Sequence, residues 1–126
     1  MAATNVFLIT GGNRGLGQGP GAGKALPRIA RPLIATVHNP AHLTAQALLE
    51  LPSGLGSKLI VVGYDAGIWQ SGFNAVKEFE KKGVDHLDIV VANAGIANSY
   101  PHVKDVKPED IREHVEVNVL SGVPLY

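Results

Sequence analysis

Four short apolar runs punctuate the chain: Asn5–Thr10 (NVFLIT), Leu33–Val37 (LIATV), Lys58–Tyr64 (KLIVVGY) and Leu87–Ala92 (LDIVVA). Each is followed at once by a glycine or a polar residue. Runs this short and this rich in β-branched residues read as strands buried on both faces. The intervals between them are long enough for helices. Asn39-Pro40 offers an N-cap and a first-turn proline, with Leu43, Ala47 and Leu51 following at helical spacing. Trp69, Phe73, Val76 and Phe79 form the apolar stripe of a second helix, which Lys81-Lys82-Gly83 should end. Pro108-Glu109-Asp110 opens a third, with acids where the helix dipole favours them. Strands alternating with helices imply βαβ units, a parallel sheet and right-handed crossovers. The expected class is α/β, the N-terminal portion of a doubly wound parallel sheet with about four strands.

Such sheets bind ligands at the carboxyl ends of their strands. The polar and glycine-rich residues gather at those ends. Residues 11–17 follow the first strand, His38 the second, Asp65 the third, and Asn93 to Gly95 the fourth.

Composition narrows the classes. The 126 residues suffice for one domain, and 45% hydrophobic content supports a core. Eleven cations balance 11 anions, which argues against a general nucleic-acid binder, since phosphate neutralisation needs a basic surplus. With no cysteine there is neither a disulfide scaffold nor a thiolate metal site, and no metal is expected. The start lacks a basic leader, and no apolar run approaches the ~18 residues of a membrane span. The default expectation is a cytoplasmic protein that binds neither membrane nor nucleic acid.

Thr10-Gly11-Gly12-Asn13-Arg14-Gly15-Leu16-Gly17 follows the first strand directly. Glycines permit a tight turn and a close backbone approach to phosphate, and a following helix end supplies N–H donors. A glycine cluster alone also suits a plain strand-to-helix turn. A Walker A reading fails, because Lys24 is followed by Ala25 and not by Ser or Thr. The spacing resembles the T-G-x-x-x-G-x-G loop of the short-chain dehydrogenase/reductase family. Asn93-Ala94-Gly95 resembles that family's N-A-G segment, and Asn118 in VEVNVL its helix asparagine. The stretches NVFLITGGNRGLG, ATVHNPAH, LDIVVANAGIA and HVEVNVLS are similar to fungal ketoreductases of the norsolorinic acid type, which act on polyketide ketones in the aflatoxin pathway. The likeness spans nearly the whole chain but is poor across residues 18–32.

The resemblance implies an NAD(P)-binding Rossmann domain over residues 1–126, incomplete at its C-terminal side. It places Gly11, Asn13, Arg14, Gly15, Leu16 and Gly17 at a dinucleotide, with Asn93, Ala94 and Gly95 nearby. An NAD site carries an acid about 20 residues beyond the loop, on the ribose. Here Ala35-Thr36-Val37-His38-Asn39 has none. Arg14 and His38 can instead pair a 2′-phosphate, so NADPH is favoured. His38 is the weaker of the two, since an imidazole lacks the guanidinium's fork of donors. Arg14 could equally be a solvated loop cation. Asp65, with Ala66 alongside, is implied at the adenine amino group, and helix capping is an equally common task for such an aspartate. Asn93 can tie neighbouring strand ends together.

By helical spacing Asn118 falls in line with Ile111 and Val115, on an apolar, sheet-facing stripe. The family implies a supporting part for it in a proton relay; a partly exposed helix asparagine is the plainer reading. The family's catalytic serine and Tyr-x-x-x-Lys pair lie beyond that helix. Tyr100-Pro101-His102-Val103-Lys104 matches the spacing but holds a proline and sits in a loop, so it reads as accidental. Gly19, Pro20, Gly21, Gly23 and Pro27 would weaken a helix there by up to ~9 kcal/mol. The expectation is an NADPH-dependent ketoreductase lacking its catalytic pair and inactive in isolation, or a non-catalytic nucleotide-binding or interaction module. A small-molecule ketone would be the substrate. The fourth strand would be an apolar edge, and self-association through it and the last helix is expected.

Overall fold

The structure is a computed structural model that describes residues 5–13, 16–18, 32–52, 54 and 56–126. Its strands are β1 (Phe7–Ile9), β2 (Pro32–Val37), β3 (Lys58–Gly63) and β4 (Ile89–Val91). Its helices are α1 (Leu43–Leu49), α2 (Trp69–Lys81) and α3 (Pro108–Val115). All three strand pairings are parallel, in the order β3-β2-β1-β4. From β1 the chain builds outward to β2 and β3, then returns to place β4 on β1's other side. The connections therefore diverge between β1 and β4, and a crevice opens at their carboxyl ends.

Strand alternation divides the core. Leu8, Ile34, Ile60 and Val62 face α2, meeting Ala75 and Phe79. Ile9, Leu33, Ala35 and Val37 face α1, meeting Ala45 and Leu48. Both faces of β1 and β2 are thus buried, as their unbroken apolar runs require, whereas β4 buries none of its three residues.

The end of α2 follows its sequence signal. Gly83 adopts φ +87°, its N–H donates to Glu80 O, and Val84 N–H donates to Phe79 O. This is a Schellman close, and Val84 and Phe79 join the same core cluster, which completes the accompanying apolar contact. The start of α1 differs from expectation. Asn39 accepts from Ala41 N–H through Oδ1 and shapes a turn, while His42 is the cap, its Nδ1 accepting from Thr44 N–H. A short asparagine bonded two residues on satisfies the local backbone without helix.

Gly72 lies inside α2, where alanine would ordinarily stabilise by ~1 kcal/mol. Here a Cβ would come within 2.5 Å of Pro124 Cβ, in the turn Val123–Leu125. A rigid ring cannot yield, so overpacking of ~1–3 kcal/mol wins. Gly72→Ala should lower the thermal midpoint; an unchanged or raised midpoint would show that the turn moves freely.

β4 is one edge of the sheet, and Ile89 and Val91 are each 43% exposed. Helix α3 buries none of its residues. The stripe expected through Ile111, Val115 and Asn118 is corrected: all three are exposed, and Val117 is the buried residue of the segment. Among the described residues no strand beyond β4 lies beneath α3, so its apolar positions have nothing to pack on. The helix also widens into a π turn over Glu116–Leu120, which changes the direction of the residues after it. No helix among the described residues is long and apolar enough to cross a membrane.

Candidate cofactor site

A cleft of about 810 Å³ opens at the carboxyl edge of the sheet. Gly11, Asn13, Leu16, His38, Asp65, Ala66 and Asn93–Gly95 line it, and so do Tyr64, Ile96, Glu113, Glu116 and Val117. Ten of the sequence-nominated residues can be placed against this cleft or directly behind it. Gly17 is the one behind, buried under the loop. Arg14 and Gly15 lie outside the described residues, as do the glycines and prolines of 19–31.

The loop is locked by backbone contacts. Gly12 N–H donates to Thr36 O, and Thr10 N–H to Val91 O. The Thr10 hydroxyl accepts from both Asn93 N–H and Ala94 N–H, each at 2.9 Å. Asn93 returns the tie, its Nδ2 donating to Thr10 O at 3.0 Å and Gly11 O at 3.2 Å. The loops after β1 and β4 are therefore stitched into one rim. Asn93 does the structural work that its place in the chain suggested.

The glycines have reasons more specific than approach to a phosphate. Gly11 adopts φ +64°, where a side chain is strained. At Gly12 a Cβ would lie 2.9 Å from Ala35 Cβ. At Gly17 it would collide with Gly11 O and lie 2.6 Å from Asn93 Nδ2. Internal packing alone therefore demands glycine at 12 and 17. Asn13 is likewise engaged, its Nδ2 donating to Thr44 Oγ1 at 2.7 Å and tying the loop to α1.

On the opposite rim, His38 Nε2 lies 3.1 Å from Asp65 Oδ2. A carboxylate only accepts, so Nε2 carries the hydrogen of this bond. Asp65 Oδ1 also accepts from Gly67 N–H, and Asp65 N–H donates to Ser71 Oγ. Asp65 thus shapes the turn ahead of α2 but does not cap it: the N-cap position is Ile68, which makes no side-chain cap bond, so the capping alternative is corrected. The direct His38–Asp65 contact had no signal in the sequence, because the two residues lie in loops that follow different strands, 27 residues apart. Behind them Tyr64 is buried and donates its hydroxyl to Ser121 O. Burial pushes the Tyr64 pKa above its ordinary value, and the neighbouring Asp65 charge adds to the shift.

Asn118 sits on the π turn. Its Oδ1 accepts from Ile96 N–H at 2.7 Å and its Nδ2 donates to Ile96 O at 2.9 Å. The side chain holds the loop after β4 by both ends. Tyr100 is 85% exposed and precedes the 3-10 turn Val103–Asp105, so Tyr100 and Lys104 share no helix.

A glycine-rich turn and an N-A-G loop facing each other across a parallel-sheet switch point define a doubly wound α/β fold with a ligand crevice at that edge. The sequence profile of the short chain dehydrogenase family matches residues 5–125, and the chain belongs to that family. It is 36% identical over 121 residues to norsolorinic acid ketoreductase nor1 of Dothistroma septosporum, covering 95% of this chain and 44% of that protein. It is 32% identical to short chain dehydrogenase gsfK of Penicillium aethiopicum, covering all of this chain and 48% of that one. The chain thus spans somewhat less than half the length of these relatives. Among solved structures it superposes on an NADPH-bound carbonyl reductase from chicken fatty liver with a TM-score of 0.79 and 25% identity, over 98% of this chain and 49% of that one. A 3-ketoacyl-ACP reductase from Sinorhizobium meliloti gives 0.76 and 29%, over 95% and 45%.

Proposed function

We propose that residues 1–126 form the cofactor-binding half of an NADPH-dependent ketoreductase. The observation that carries the reading is the cleft at the β1–β4 switch point, whose volume suits a nucleotide. Residues 11–17 would hold the diphosphate, His38 with Arg14 the 2′-phosphate, and Asp65 with Ala66 the adenine. Asn93, Ala94 and Gly95 form the facing wall, and Asn118 holds that wall's loop in place. When bound, the reduced nicotinamide supplies a hydride for a ketone carbonyl. The relatives' names support a polyketide ketone such as norsolorinic acid as substrate. Carbonyl reduction also needs an acid for the developing alkoxide. Tyr100 and Lys104 do not form the paired arrangement that would supply one, so this chain alone should bind cofactor without turning it over. A second reading, a non-catalytic nucleotide-binding module, uses the same cleft.

Titrating the chain with NADPH while following nicotinamide fluorescence tests both readings. Saturable binding is expected, and no binding at millimolar cofactor would remove both. Replacing His38 by arginine should tighten NADPH relative to NADH by about three- to tenfold, because a guanidinium is always charged and forks onto phosphate. Equal effects on the two cofactors would remove His38 from the 2′-phosphate. We propose also that the free β4 edge and the apolar positions of α3 mediate self-association. Sedimentation velocity should show mass rising with concentration, and Val91→Lys should return it to the monomer. A wild-type monomer at all concentrations would end that proposal.

A further inference from the structure

We infer that Tyr64 is a positioning residue of the cleft: it fixes the helix end that carries Asn118, and through Asn118 it sets the loop after β4. A helix end leaves carbonyls without intrahelical partners, and a π turn disturbs the regular ladder before it. Here two such carbonyls are met by side chains. Ser121 Oγ donates to Val117 O at 2.6 Å, and Tyr64 donates its hydroxyl to Ser121 O. Tyr64 comes directly after β3, so this bond anchors the helix end to the sheet. Between the two anchored carbonyls lies Asn118, with both ends of its amide on Ile96.

The Asn118 clasp is intolerant of displacement. Its two bonds, of 2.7 and 2.9 Å, meet the N–H and C=O of a single residue. Gly95 adds a close approach, since a Cβ there would lie 3.1 Å from Asn118 Oδ1. A helix end released from Tyr64 would move both bonds beyond hydrogen-bond distance after a shift of about 1 Å. Three residues earlier, Asn93 ties the same loop to Thr10 and Gly11. The contacts therefore run from Tyr64 through Ser121, Asn118, Ile96 and Asn93 to Gly11, around the mouth of the cleft. Among the described residues the Tyr64 hydroxyl makes the first hydrogen-bonded link, beside the packing of Pro124 and Leu125 against α2. The ring is core packing that phenylalanine would reproduce.

Amide hydrogen exchange by NMR on the 126-residue chain tests this coupling. Tyr64→Phe should speed exchange of the Ile96 amide by about three- to tenfold, the factor for one lost hydrogen bond. The amides of Leu33, Ile34 and Ala35 in the sheet interior should not change. Unchanged Ile96 exchange, or a uniform rise across the chain, would overturn the inference, the latter because it marks a general loss of stability. Asn118→Ala provides the reciprocal arm on an exposed side chain, so it serves even if Tyr64→Phe does not fold. It should speed exchange of the Tyr64 hydroxyl proton, and an unaltered hydroxyl counts against the coupling. In the double variant Ile96 should exchange no faster than in Asn118→Ala alone, whereas multiplied effects would make the two residues independent. A matching loss of NADPH affinity in Tyr64→Phe is expected only if the cofactor reading holds. Failure of the wild type to bind NADPH would reject that reading, while the exchange measurements judge Tyr64 separately.

Discussion

Gly17→Ala is expected to weaken NADPH binding by at least about tenfold and to destabilise the chain by ~2–3 kcal/mol, at the upper end of overpacking costs. The usual benefit of alanine over glycine in a helix is ~1 kcal/mol and has the opposite sign. The close contacts decide between them. A Cβ at 17 collides with the carbonyl oxygen of Gly11 and comes within 2.6 Å of Asn93 Nδ2. The first obstacle is backbone and cannot swing aside. The second is the amide that ties the two loops of the rim. Relief therefore requires the loop after β1 to move against the loop after β4, which reshapes the cleft between them. Thermal denaturation and NADPH titration of one preparation would measure both effects. A variant with native midpoint and native affinity would show that residues 11–17 are not packed as described.

Thr10→Val should be the most destabilising conservative change in the rim, by ~2–5 kcal/mol. The two side chains have nearly the same shape, so packing is little altered. What is lost is an acceptor for two backbone donors, Asn93 N–H and Ala94 N–H. Thr10 is only 3% exposed, so water has little access to replace it. An unsatisfied buried donor costs ~1–3 kcal/mol; here there are two, both on half-buried residues, which keeps the sum below its upper end. Thr10→Ser keeps the hydroxyl and should recover most of the loss. Urea denaturation of the three proteins would check this. Equal midpoints for Val and Ser would indicate that the methyl group, and not the hydroxyl, matters at position 10.

Much of this architecture was legible before any tertiary structure. Three of the four strands fall inside the runs that nominated them and β2 begins one residue early, at Pro32; β1 and β4 are each only three residues long. The runs marked apolar character, whereas ladder bonds set the strand ends. The close of α2 at Gly83 was readable because a Schellman turn involves only neighbours along the chain. The start of α1 was misplaced by a local rivalry: Asn39 could cap a helix or bend a turn, and it bends a turn. The N-A-G loop, the glycine loop, His38 and Asp65 were all expected at one sheet edge, and the cleft is lined by them. Asn118 was expected on an apolar, sheet-facing stripe, which assumed a regular helix; it is exposed on a π turn and bonds Ile96.

Sequence by itself determined the alternation of strand and helix, the parallel sheet with its ligand edge, and the glycine turns after β1 and α2. Those features follow from periodicity and backbone freedom, which act over a few residues. Tertiary structure alone decided which atoms meet at the rim. His38 reaches Asp65 across 27 residues, Tyr64 reaches Ser121 across 57, and Asn93 reaches Thr10 across 83. Contacts at such separations depend on strand order and helix placement. Local pattern does not encode these until the whole sheet has assembled.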